Sequence, residues 1–82
     1  MPFFTYILQS STTGRLYIGH TQNLQRRLHE HNSGQTRSTR NQGPWKLLYA
    51  KRFNTRAEAV RFEQQLKRIK KPHRILKLIR ER

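Results

Sequence analysis

The stretch RLYIGHTQNLQRRLHEHN, Arg15 to Asn32, constrains the fold more than any other, because it reads as a strand, a tight turn and a first helix. A helix over Thr21 to Asn32 at its natural period puts Arg27 and His31 one turn apart, on the side of Leu24 and Leu28. A polar pair therefore faces the sheet. A surface helix ordinarily sets aliphatics there and turns its arginines to water, as Arg26 and Gln25 are turned in this pattern.

Around this stretch, Phe3 to Gln9 is rich in aromatic and β-branched residues, and Ser10 to Gly14 is a polar cluster ending in glycine. The apolar pattern resumes from Arg15 to Gly19, so the two runs predict an antiparallel hairpin. With a four-residue loop, Tyr6 is expected opposite Tyr17. Thr21 is the expected helix cap and Gly34 marks the helix's C-terminal side. Residues Asn32 to Pro44 carry no apolar side chain, which predicts a loop outside the core bearing Arg37 and Arg40. Trp45 to Phe53 is a third strand with apolar residues in both alternating sets, so a central position is expected. Thr55 and Glu58 form a capping box for a second helix, and Pro72 opens a third with Ile75, Leu76 and Ile79 inward. The predicted class is α/β of the α+β type: three antiparallel strands flanked by about three helices, in the order β-β-α-β-α-α.

Length and charge limit what such a chain does. Its 82 residues are read as one domain, 1–82, with a small core. There is no cysteine for disulfides or thiolate zinc sites, and no apolar run long enough for a membrane span. With no signal-peptide pattern at the N-terminus, the expected location is cytoplasmic. A net charge of +14, from 18 Lys and Arg against four Glu, calls for a polyanionic partner, with nucleic acid leading. Arg26, Arg37, Arg40, Lys67, Lys70 and Lys71 are the expected phosphate contacts, and no membrane partner is expected.

Four acids leave little choice of carboxylate. Glu58 is assigned to capping, Glu30 to a helical pair with Arg26, and Glu81 to the C-terminus. Glu63 falls inside the apolar arc of the second helix, among Ala59, Val60, Phe62 and Leu66, where an unpartnered carboxylate is costly. Either an ion pair with Arg27 or another arginine, or a hard divalent cation, would account for it. His29 and His31 point to different sides of the first helix and cannot form a metal pair. His20 and His73 read as solvated or capping.

Taken together, Thr5-Tyr6-Ile7, Tyr17-Ile18-Gly19, Thr21-Gln22-Asn23-Leu24 with Arg27 and His31, and the later Glu63 resemble the GIY-YIG nuclease superfamily, in particular its small stand-alone bacterial members. Phe4 departs from the first motif's glycine, and His20 stands where a smaller residue is expected. The resemblance implies a metal-dependent endonuclease hydrolysing phosphodiester bonds in branched, damaged or single-stranded DNA, in repair or recombination. It implies Tyr6 and Tyr17 as activators of water, with Tyr6 preferred as the general base, its phenolate favoured by surrounding positive charge. Arg27 would hold the scissile phosphate, His31 would assist, and Glu63 would hold one Mg2+ or Mn2+. DNA is placed ahead of RNA, a protein partner is a source of specificity, and a monomer or weak homo-oligomer is expected. The alternative is a non-catalytic nucleic-acid-binding module on the same scaffold, RNA- or ribosome-associated, which the charge serves equally well.

Overall fold

The computed structural model describes residues 2–69 and 71–80; Lys70, an expected phosphate contact, and Glu81 lie outside them. Its elements run β1 (Phe3–Ser10), β2 (Leu16–Thr21), α1 (Leu24–Asn32), a short 3-10 helix (Arg37–Thr39), β3 (Trp45–Phe53), α2 (Arg56–Arg68) and α3 (Pro72–Arg80). The architecture is the expected three-stranded antiparallel sheet with three helices. Among the described residues no helix is long and apolar enough to cross a membrane.

The strand order is β2-β1-β3, so β1 is central and β3 lies at an edge, contrary to the expectation for β3. Burial explains the order: Thr5, Tyr6, Ile7 and Leu8 are all buried, which requires cover on both faces. The apolar residues on both sets of β3 have another cause. The register with β1 slips between Ile7, paired with Tyr49, and Leu8, paired with Leu47, so Leu48 is an extra residue. Beyond the bulge the alternation changes face. Trp45 packs with Tyr6 and Leu8, whereas Tyr49 and Phe53 join the opposite core of Ile7, Ile18, Phe62, Leu66 and Ile75.

Five residues, Ser11 to Arg15, lie between the two strands, one more than the four-residue loop expected. Ser10 stays in the strand and its hydroxyl accepts the amides of Thr12 and Thr13, while Gly14 closes the turn at φ +77°. This pairs Tyr6 with Gly19 and Tyr17 with Leu8, two residues from the expected register. The tyrosines still share a face, as diagonal neighbours with ring centroids 6.4 Å apart.

Helix α1 begins later than predicted. Thr21 belongs to β2, and Asn23 is the cap, accepting the Arg26 amide at 3.0 Å. Thr55 caps α2 as expected, and its hydroxyl donates to the Glu58 carboxylate at 3.0 Å. Two side chains tie layers together. Thr5 donates to the Ala59 carbonyl at 2.7 Å, linking β1 to α2, and Asn32 bonds both the amide and the carbonyl of Trp45, linking α1 to β3. In α3, Ile75 is buried and Leu78 and Ile79 pack against it; Leu76 is only half-buried.

Leu66 is 1% exposed at the centre of the α2 face, so Leu66→Ala is expected to lower stability in urea by about 2–5 kcal/mol. Thr55→Ala, which removes only the cap, is expected to lower it by about 1 kcal/mol.

Candidate functional site

The first face of the sheet, covered by α1, holds the polar pair that the sequence placed there. His31 is 2% exposed; its ring centroid lies 4.7 Å from that of Tyr17 and 6.0 Å from that of Tyr6. Leu24 and Leu28 pack beside it, and Arg27, half-buried on the same helix, lies near enough to Tyr6 for the two groups to influence each other's protonation. Tyr6, Tyr17, Arg27 and His31 are thus brought together.

Their hydrogen bonds have one consistent direction. Thr39 donates its hydroxyl to the Thr36 carbonyl at 3.4 Å, so at 2.8 Å it accepts from His31 Nδ1. His31 is held below its ordinary imidazole value by burial and by the nearby Arg27 charge, with Glu30 opposing. A neutral ring protonated at Nδ1 leaves Nε2 to accept from the Tyr6 hydroxyl, 3.0 Å away. Arg27 stands close enough for its charge to act on the same phenol. The chain runs from Tyr6 through His31 to Thr39. It corrects the reading of Asn32 to Pro44 as a loop outside the core, because Thr39 is 1% exposed and its carbonyl accepts Trp45 Nε1 at 3.1 Å.

Burial pushes the Tyr6 phenol up to about 12, the nearby Arg27 guanidinium only partly offsetting it. The expectation that surrounding positive charge favours its phenolate is therefore reversed by desolvation. At neutral pH Tyr6 is a hydrogen-bond donor. The same proximity raises Arg27 above its ordinary value.

Gly19 explains the close approach. A Cβ there would meet the Tyr6 hydroxyl oxygen at 2.6 Å and Cζ at 2.8 Å, so any side chain at this position forces the ring to move.

On the other side of β2, Glu63 sits with its side chain 13% exposed, as its place on the apolar arc predicted, and its charge raises Tyr6 slightly. Its partners differ from the arginine expected. His20 Nδ1 donates to Oε1 at 2.6 Å and Lys67 Nζ to Oε2 at 2.8 Å. Burial works to raise this carboxyl, but the hydrogen bonds from Lys67 and His20 hold it below the usual range. His20, read from sequence as a solvated turn residue, is a half-buried member of β2.

The Mg2+ or Mn2+ site expected at Glu63 is not supported. Among the described residues no three of His, Cys, Asp and Glu gather into a group able to hold a metal ion. Glu63 is the carboxylate on that helix face, and both of its oxygens are taken by donors, one of them a lysine ammonium.

Between the end of β2, the start of α1 and the start of α2 lies a cleft of about 450 Å³, lined by His20, Arg26, Arg27, Glu30 and Arg56 among others. Glu30 bridges Arg26 at 3.2 Å and Arg27 at 2.9 Å, and the Arg27 bond foremost holds its carboxyl below the usual range. The other expected phosphate contacts are dispersed. Arg37 and Arg40 lie in the loop beyond His31, with Arg40 Nε bonded to the Gly34 carbonyl at 2.9 Å. Lys67 pairs with Glu63, and Lys71 lies between α2 and α3. Arg56, His20 and Thr39 were not predicted. Arg56 precedes the second helix's apolar stripe and gives no periodic signal, whereas His20 stood out only as too large for its position.

Neutral His31 stabilises the fold fully above its ordinary value of about 6.5, and that contribution is lost as pH falls through its lowered native value. Tyr6 has the opposite sign: its contribution is present below about pH 10 and is lost as pH rises toward 12. NMR titration is expected to find His31 titrating below 6.5, and higher in Arg27→Gln than in the parent. Gly19→Ala is expected to cost about 1–3 kcal/mol in chemical denaturation and to shift the Tyr6 ring resonances.

Comparison with known proteins identifies the family. The chain is 43% identical to a UPF0213 protein of Streptococcus agalactiae over 68 residues, 82% of this chain and 76% of the relative. It is 38% identical to a UPF0213 protein of Oceanobacillus iheyensis over 67 residues, 80% of this chain and 77% of the relative. The solution NMR structure of a UPF0213 protein from Bacillus halodurans superposes with a TM-score of 0.62 at 30% identity, covering 100% of this chain and 86% of that one. Residues 2–76 match the GIY-YIG catalytic domain, and with the two tyrosines, Gly19, Arg27 and His31 placed as described, the chain belongs to the GIY-YIG family.

Proposed function

We propose that this chain is a nucleic-acid-binding module on the GIY-YIG scaffold, acting as a single domain and taking the phosphate backbone into the arginine-lined cleft. The observation that carries this reading is the cleft itself. Arg26, Arg27 and Arg56 line it with one carboxylate, Glu30, in a chain of net charge +14. An anion entering there displaces Glu30 from two guanidiniums and gains charge-assisted hydrogen bonds. Arg27 is half-buried against α1 and the sheet, so less side-chain entropy is lost when phosphate arrives than for a fully exposed arginine. The phenol and imidazole behind it are neutral.

Phosphodiester hydrolysis is the second reading. It is favoured by the convergence of Tyr6, Tyr17, Arg27 and His31 and by the catalytic-domain description of the matched family. In that reading Arg27 stabilises charge developing on the phosphoryl oxygens, and the Tyr6–His31 pair handles a proton.

Fluorescence anisotropy with short labelled DNA and RNA oligonucleotides tests both. Binding is expected to weaken with added salt at a log-log slope of roughly −2 to −4, and a double Arg26→Glu, Arg56→Glu variant to bind about ten-fold or more weakly. Glu63→Gln and addition of a chelator are expected to leave affinity unchanged, because the contacts are side-chain cations. Binding without salt dependence, or unmoved by the double variant, sinks the module reading. Cleavage of the same oligonucleotides by the parent, lost in Tyr6→Phe and Arg27→Ala, makes hydrolysis the function.

A further inference from the structure

The outer edge of β2 carries no neighbouring strand, since β2 is the last strand of the sheet. Between that edge and the α2–α3 junction lies a hollow of about 430 Å³ whose floor is Leu16, Ile18, Ile69 and Ile75, with exposed Pro72 beside it. Arg15 and Lys67 stand at its rim. A second hollow, about 470 Å³, shares Ile69 and sets Leu78 among Arg68, Lys71 and Arg74. The two form one track in which apolar floor and cations alternate. Tyr17 connects it to the site already described, lining the first hollow while its ring packs 4.7 Å from His31.

The occupant has to satisfy both halves of this pattern. A second copy of the chain brings another +14 and is repelled. A nucleic-acid duplex offers phosphates to the cations, but its bases are stacked inside and leave the apolar floor uncovered. A single strand offers flat apolar bases and regularly spaced phosphates together. We propose that this track is a binding site for single-stranded nucleic acid, with unpaired bases resting on Leu16, Ile69 and Leu78 and phosphates held by Arg15, Lys71 and Arg74. Lys67 is committed to the Glu63 carboxylate at 2.8 Å and contributes less, whereas Arg15 exchanges a bond to the neutral Gln42 side-chain oxygen, 3.1 Å away, for the phosphate. The proposal rests on the nucleic-acid reading above and adds a second surface, which selects strands that are already unpaired.

The test uses the full chain and three labelled probes of equal length: a single strand, the same strand made abasic, and a duplex. The single strand is expected to bind about five-fold or more tightly than the abasic strand, which keeps the phosphates and lacks the bases. An Arg15→Glu, Arg74→Glu variant is expected to lose about ten-fold for the single strand, while the duplex, held at the cleft, changes by less than about two-fold. Both positions are exposed, and an unchanged amide NMR spectrum elsewhere certifies the fold. A strand carrying photoreactive bases is expected to cross-link within residues 15–18 or 67–78. Equal affinity for normal and abasic strands, cross-links confined to the cleft, or displacement of an unlabelled strand from this track by an acidic peptide binding more tightly overturns the proposal. If the cleft variant Arg26→Glu, Arg56→Glu still weakens duplex binding in that event, the proposed function stands and only the track is lost. If no probe binds, both fall.

Discussion

One buried hydroxyl organises the functional half of this protein. Tyr6 is on the central strand at 2% exposure, and leaving its oxygen without a partner would cost about 1–3 kcal/mol. Its partner comes from α1, as His31, and His31 in turn requires Thr39 from the following loop. One phenol thereby fixes the rotation of a helix and the position of a loop. Among the described residues no buried side-chain polar atom is left without a hydrogen bond, which is how so small a core accommodates Thr5, Ser10, His31 and Thr39.

The opposite half is organised by packing, and the two halves differ in how legible they were. Strand and helix identities were readable because their apolar periods are strong, and the capping of α2 and the start of α3 at Pro72 followed from local chemistry. The hairpin register was not readable, because it depends on whether Ser10 belongs to the strand or the turn, and its hydroxyl decides that by bonding two turn amides. The place of β3 was misread because a bulge at Leu48 puts apolar residues on both faces, imitating a central strand.

At the site, the residues on α1 were legible because a helix of known period places them on one side whatever the rest of the chain does. Glu63 was legible as an anomaly, but its partner was not. His20 is 43 residues away, and nothing local says that an outward-reading histidine on β2 meets α2. That contact, with Lys67, turns a carboxylate expected to attract a cation from solution into one satisfied within the chain. Thr39 was invisible for a different reason: a polar residue in a polar loop carries no periodic signal, and its burial follows only from His31 needing an acceptor.

The contact between Gly19 and the Tyr6 ring has a consequence for how such a chain can change over generations. A side chain at position 19 requires the ring at position 6 to move or to become smaller, and either change disturbs the hydroxyl that His31 bonds. The glycine and the tyrosine therefore act as one structural unit although thirteen positions separate them, and a change at either is felt at the other.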